Sequence, residues 1–199
     1  MKFGFQMDPV STLNHSTDST LPMILESQKR KNQNYIFSPS SLTFKKSSLY
    51  AQAKEIKFKN DKLNSYTLSS EKKLNLNSLN YIFIRQDPPY DMEYISSMHL
   101  LEQLSKKTKV VNSPSGIRNA PEKILMLKFK NIIPPTLITR SKKEIDRFMN
   151  SYKKSVIKPL YGNGGQGIFL LDKNDKNYNQ IIEKFINEEN IPFIVQKFL

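Results

Sequence analysis

The chain has 199 residues, 38% hydrophobic and 25% charged, with 31 Lys and Arg against 18 Asp and Glu and a formal net charge of +13. That length suits one or two domains. No apolar run reaches the roughly eighteen residues of a membrane span, Met1–Val10 with Lys2, Asp8 and Pro9 does not read as a secretory signal, and the lack of cysteine excludes disulfides, zinc–thiolate sites and a cysteine nucleophile.

The charge balance invites a nucleic-acid reading. The lysines, however, are scattered in pairs, at Lys45–Lys46, Lys72–Lys73, Lys106–Lys107, Lys142–Lys143 and Lys153–Lys154, without a stripe of interleaved aromatics. With Lys, Asn, Ile and Ser used heavily throughout, compositional drift accounts better for the charge. The two histidines, His15 and His99, have no local partner suggesting a metal site or a Ser–His relay.

In chain order, Phe3 to Met7 predicts a strand, Asp8 to Ser19 a polar loop, and a helix follows from about Leu21 with Pro22 in its first turn, where a missing N–H costs nothing. Tyr35 to Phe37 is the next strand, and this β-α-β opening favours a parallel sheet. Leu49 to Phe58 alternates as a half-exposed strand or hairpin does, and the polar stretch from Asn60 to Asn80 reads as a long surface loop. Tyr81 to Ile84 is a buried-type strand running into Arg85-Gln86-Asp87-Pro88-Pro89-Tyr90-Asp91, with Asp91 capping a helix that buries Ile95, Met98, Leu101 and Leu104. Val110 and Val111 make a short strand before a turn at Asn112-Ser113-Pro114.

A second unit repeats this logic. Asn119 and Glu122 have capping-box spacing with Pro121 between them, placing a helix start at Ala120, and Ser141 and Glu144 repeat the spacing ahead of Ile145, Phe148 and Met149. Strands are expected at Thr136–Thr139, Val156–Pro159, Ile168–Leu171 and Pro192–Phe198, with a turn at Asp172–Lys176 and a helix over Asn177–Asn190. Glu188 and Glu189 read as solvated carboxylates at that helix end.

Four of the chain's 6 glycines lie between Gly162 and Gly167. Gly162, Gly164 and Gly167 spell G-x-G-x-x-G, but the dinucleotide-binding version must open a helix and this one runs into Ile168-Phe169-Leu170-Leu171. No Lys-Ser or Lys-Thr follows, so a P-loop fails as well. A strand, glycine loop and strand can form a flap whose backbone N–H groups approach phosphate oxygens. Two glycines usually suffice for a plain hairpin turn. Lys158 enters the flap and Lys123 sits in the first turn of the second unit's opening helix, so two cations from different elements could meet one triphosphate.

Asn119-Ala120-Pro121-Glu122-Lys123, Val156-Ile157-Lys158-Pro159-Leu160 with its flap, and Val195-Gln196-Lys197-Phe198-Leu199 together resemble an ATP-grasp ligase. Met7-Asp8-Pro9, Arg85 through Asp91 and Val111-Asn112 through Arg118 narrow the resemblance to the prokaryotic glutathione synthetase family, along nearly the whole chain. The resemblance implies an α/β protein: a parallel-sheet, Rossmann-like domain over residues 1–118, then a truncated first lobe of an ATP-grasp domain over 119–199. It implies a cytoplasmic, homo-oligomeric ligase that joins γ-glutamylcysteine to glycine through an acyl phosphate, with ATP and Mg²⁺ or Mn²⁺. Lys123 and Lys158 match the family's phosphate-contacting lysines, Gly162, Gly164 and Gly165 its flap, and Gln196, Lys197, Phe198 and Leu199 its adenine-holding strand. Asp8, Arg85 and Asp87 fall on the substrate side, with a structural Arg85–Asp87 ion pair as the alternative. The family's metal ligands are expected beyond Leu199, so the chain reads as a fragment, inactive alone and poorly soluble. The competing readings are another carboxylate–amine ligase, a degenerate remnant, and a basic nucleic-acid module, whose binding would collapse with salt.

Overall fold

Side chains alternate between the two faces of a strand, and strand β1 (Lys2–Gln6) uses both faces. The structure is a computed structural model that describes residues 1–162, 164–188 and 190–199, and the chain divides into two units, Met1–Asn119 and Ala120–Leu199.

In the first unit Phe5, and Met7 just beyond β1, pack on one face against Leu21 and Ile24 of α1 (Thr20–Lys29). Gly4 and Gln6 face the other side. A Cβ at Gly4 would lie 2.7 Å from Leu79 Cδ1 and 3.1 Å from Phe37 Cε1, so the packing there leaves no room for a side chain. Asp18 Oδ1 accepts from Leu21 N at 2.7 Å, satisfying an otherwise orphaned N–H at the start of α1.

Strands β2 (Gln33–Phe37), β7 (Tyr81–Ile84) and β8 (Lys109–Val111) join β1 in parallel, with Phe5 opposite both Ile36 and Phe83. The sheet is mixed rather than wholly parallel. Strand β4 (Ser48–Phe58) runs antiparallel to β2, and β3 (Thr43–Lys45), β5 (Tyr66–Leu68) and β6 (Lys72–Asn75) pair with it, giving the order β3-β4-β2-β1-β7-β8 with β5 and β6 on β4. The stretch from Asn60 to Asn80 is therefore not one long loop. Its strands are short and lie mostly exposed on β4, so they lack the apolar alternation that marks a half-buried strand.

Helix α2 (Met92–Leu101) covers the second face, where Ile82, Ile84, Met98 and Leu101 form a core with Tyr35, Phe37 and Leu49. A further helix, α3 (Pro114–Asn119), occupies what reads in sequence as a turn followed by a capping residue. Asn119 ends α3 and caps nothing. Pro121 is the N-cap of α4 (Glu122–Leu125), without a side-chain hydrogen bond, so the helix starts two residues later than the capping-box spacing predicts.

The second unit is a four-stranded antiparallel sheet, β11-β10-β12-β9, from β9 (Thr136–Thr139), β10 (Lys154–Pro159), β11 (Phe169–Asp172) and β12 (Phe193–Lys197). Helices α5 (Lys142–Ser151) and α6 (Tyr178–Glu188) cover one face over Ile145, Met149, Ile157, Ile182, Phe193 and Val195. Ser141 caps α5 as the spacing predicts, accepting from Glu144 N at 3.4 Å. Tyr178 donates to Asp146 Oδ1 at 2.8 Å, tying α6 to α5, and burial together with that carboxylate pushes its phenol well above its ordinary value. Among the described residues no helix is long and apolar enough to cross a membrane.

Asp91 Oδ1 accepts from Tyr94 N at 2.9 Å at the head of α2. Asp91→Ala is expected to lower stability by about 1 kcal/mol, and Asp91→Asn by much less. Urea-unfolding midpoints of the two variants check this.

Candidate active site

Strand β10 enters the glycine loop and β11 leaves it, paired antiparallel from Lys154↔Asp172 to Ile157↔Phe169. This is the strand–loop–strand arrangement expected from the sequence. Gly164, Gly165 and Gly167 have φ of 58°, 75° and 70°, the left-handed region that favours glycine. At Gly164 and Gly165 an added Cβ would meet nothing within 4 Å, so these residues serve conformation and open approach rather than packing. Asn163 lies outside the described residues.

Lys123, Lys158, Gly162, Gly164 and Gly165 line one cavity of about 270 Å³, together with Glu122, Pro159, Gln166 and Ile168. Lys123 Nζ donates to the Gly162 carbonyl, tying α4 to the base of the flap. Lys158 Nζ donates to Gln196 Oε1 at 3.1 Å. Burial pushes the Lys158 ammonium below its ordinary value, the Lys123 charge pushes the same way, and Glu122 partly opposes them. Two cations beside backbone N–H groups suit a polyanion, which would relieve the repulsion between them.

The remaining residues of the candidate nucleotide strand lie differently. Gln196 is 9% exposed and reaches the cavity through Lys158. Lys197 pairs with Ser155 and its Nζ stands 5.9 Å from the Tyr152 ring centre, while Phe198 and Leu199 are exposed beyond the strand end.

In the first unit the chain leaves β1 toward β2 on one side and β7 toward β8 on the other, so the carboxyl ends of β1 and β7 form a switch point where open α/β sheets bind ligands. Asp8 and Asp87 meet there, Asp8 Oδ2 accepting from Asp87 N at 2.7 Å. Arg85 is not committed to Asp87. Its Nε donates to Thr20 Oγ1 at 3.1 Å and its Nη2 to Ser19 Oγ at 2.7 Å, bracing the head of α1. A cavity of about 460 Å³ opens beside Asp8, with Ser38, Ser40, Ser41, Gln52 and Lys54 on its walls.

Sequence reading missed these cavity-wall residues, which converge only once β4 folds against β2. It also missed Tyr94. Burial, Tyr90 and Asp87 push that phenol up, with Arg85 opposing and Asp8 adding, so Tyr94 shares the electrostatic field of the crevice. Its only mark in the sequence is its place three residues after the cap Asp91.

Among the described residues no three His, Cys, Asp or Glu side chains gather as a metal site. His99 stands 3.8 Å from Glu102 and His15 lies 3.3 Å from the Val10 carbonyl. Glu188 pairs loosely with Lys184 at 4.0 Å, and Glu189 lies outside the described residues.

Residues 1–118 match the family model for the prokaryotic glutathione synthetase N-terminal domain, and residues 122–199 match that for the prokaryotic glutathione synthetase ATP-grasp domain. The glutathione synthetase of Agrobacterium fabrum is 40% identical over 196 residues, covering 98% of this chain and 61% of that protein. That of Mesorhizobium japonicum is 37% identical over 199 residues, covering 100% and 64%. The chain thus spans less than two thirds of the length of these curated relatives. The solved RimK-domain ATP-grasp protein of Sphaerobacter thermophilus shares the fold with a TM-score of 0.58 at 14% identity, over 100% of this chain and 64% of that one.

The folded chain holds the Lys158 proton less tightly than an unfolded chain does, so stability rises as pH climbs from the lowered value toward 10.5. Side-chain NMR is expected to show Lys158 titrating below 10.5 and moving upward in Lys123→Met. A Lys158 titration unmoved by Lys123→Met would show that the two charges do not share a field.

Proposed function

The chain belongs to the prokaryotic glutathione synthetase family, and from that premise we propose that its protein joins γ-glutamylcysteine to glycine with ATP. The observation that carries this is the convergence of Lys123 and Lys158, from different elements, on one cavity beneath a left-handed glycine loop. A carboxylate is a poor electrophile. Transfer of the γ-phosphoryl group to a cysteinyl carboxylate oxygen supplies a leaving group. The glycine amine then attacks the carbonyl carbon, the C–O bond to phosphate breaks, the amine loses its proton, and glutathione, ADP and phosphate result. In such chemistry the protein positions the reactants and neutralises charge.

In this reading Lys123 and Lys158 hold the phosphates, the N–H groups at Gly164 and Gly165 close over them, Gly162 anchors the flap through Lys123, and Gln196, Lys197, Phe198 and Leu199 form the adenine strand. Asp8 and Asp87 face the dipeptide at the switch point, and Arg85 fixes the rim by holding Ser19 and Thr20. Mg²⁺ or Mn²⁺ accompanies the nucleotide, and no residue of this chain is assigned as its ligand. A cytoplasmic location suits a substrate whose thiol must stay reduced, and a homo-oligomer is what the family resemblance implies.

The test is ADP release by the natural full-length gene product with Mg-ATP and glycine, with and without γ-glutamylcysteine. Release is expected to require γ-glutamylcysteine and to fall at least about 100-fold in Lys158→Met. ATP binding without that dependence would move the assignment to a different carboxylate–amine ligase.

A further inference from the structure

The face of the second sheet opposite its helices carries a hydrogen-bonded chain that ends at the candidate phosphate cavity. Thr136 and Gln196 are direct partners across β9 and β12, and Lys158 on β10 is the diagonal neighbour of Gln196. Thr136 Oγ1 donates to the Pro134 carbonyl at 2.7 Å. Gln196 Nε2 donates to Thr136 Oγ1 at 2.9 Å, and Lys158 Nζ donates to Gln196 Oε1 at 3.1 Å.

The direction of this chain is set at its far end. A hydroxyl has one proton, and the Pro134 carbonyl takes it. Only an oxygen lone pair then faces Gln196, so the amide must turn its nitrogen toward Thr136 and its oxygen toward Lys158. An amide turned the other way would set N–H against both the ammonium and a cavity that already holds Lys123. Gln196 is buried, so bulk water cannot correct a wrong orientation.

We propose that Thr136 is a positioning residue for nucleotide binding, fixing the Gln196 amide so that its oxygen holds the Lys158 ammonium at the cavity. This rests on the reading of that cavity as the ATP site. Thr136 touches no lining residue of the cavity in this chain of bonds except through Gln196. The groups bearing on Lys158 are Glu122 and Lys123 from α4 and the Gln196 amide from β12. Loss of the acceptor leaves the repulsion of Lys123 and burial less opposed, so Lys158 gives up its proton at a lower pH and ATP binding weakens earlier on the alkaline side.

ATP affinity of the natural full-length gene product as a function of pH tests this. Thr136→Val is expected to bind ATP about tenfold more weakly at neutral pH and to move the alkaline limb of the binding profile to lower pH. Thr136→Ser, which keeps the hydroxyl, is expected to match the unsubstituted protein in both. Gln196→Met is expected to reproduce the loss and to make Thr136→Val silent when the two are combined. An unchanged affinity and limb in Thr136→Val, a Thr136→Ser protein as weak as Thr136→Val, or further loss from Thr136→Val in the Gln196→Met background would overturn the proposal. If Thr136→Val does not fold, unaltered binding by Gln196→Met overturns it. An unsubstituted protein that binds no ATP defeats the reading of the cavity and this inference with it, whereas normal ATP binding with a silent Thr136→Val defeats this inference alone.

Discussion

Two ammonium groups held at one cavity repel each other, and the second unit is organised around keeping them there. Lys158 could escape into solvent on a flexible stem, yet it stays because β10 is an inner strand, paired with β11 on one side and β12 on the other. Its neighbour Ile157 is locked into the core beneath α5 and α6, which fixes the outward direction of Lys158. Lys123 is held differently, by donation to the carbonyl of Gly162 at the foot of the flap. The same loop that would receive the anion thus anchors one of the cations that would attract it. The repulsion between the two ammonium groups is one that a polyanion would relieve, which suits this arrangement to such a ligand.

The first unit solves a different problem. Its crevice depends on a topological fact, the divergence of the chain from two adjacent parallel strands, which leaves the backbone ends of β1 and β7 open to a ligand. Asp8 and Arg85 there are occupied with a backbone N–H and with hydroxyls. Asp8 fastens the loop after β7, and Arg85 fastens the head of α1. Tyr90 bonds the Ile117 and Arg118 carbonyls at 3.2 and 2.9 Å, so the Asp-Pro-Pro-Tyr-Asp string also holds α3 in place. A motif this dense in chemistry-bearing residues therefore shapes a rim as much as it supplies contacts.

The legible parts of this chain were those with strong local signals. The strands β1, β2, β7, β9, β10 and β12 carried apolar runs bounded by turns, and Ser141 and Asp91 announced their helices by spacing. The glycine loop gave itself away by concentration and by the strand that follows it. What stayed hidden depends on partners far away in sequence. Strands β5 and β6 exist because β4 is long enough to pair on both halves, and nothing in Lys72-Lys73-Leu74-Asn75 alone says strand. Helix α3 is six residues long and lacks an apolar face to read. Asn119 and Glu122 had the spacing of a cap without its geometry, because Asn119 was already the end of another helix. Thr136 looked like an ordinary β-branched strand residue, and only the cross-strand register brings its hydroxyl to Gln196.

The same contrast governs the positive charge. Many of the lysines spend their charge locally: Lys72 stands 4.8 Å from the Tyr35 ring centre, Lys73 4.7 Å from Tyr50, and Lys184 5.1 Å from Phe169. Others pair across exposed surfaces, as Lys54 does with Glu71 and Lys142 with Asp146, where an ion pair is worth at most about 1 kcal/mol. Such contacts add little and specify little. Charge becomes specific where burial removes the water that would screen it and where no carboxylate neutralises it fully. Lys158 moves toward both conditions: it is half-buried, with Lys123 beside it and Glu122 offsetting only part of the field. The net charge of the chain therefore says little about what it binds; the placement of two half-buried lysines at one cavity beside a glycine loop says far more.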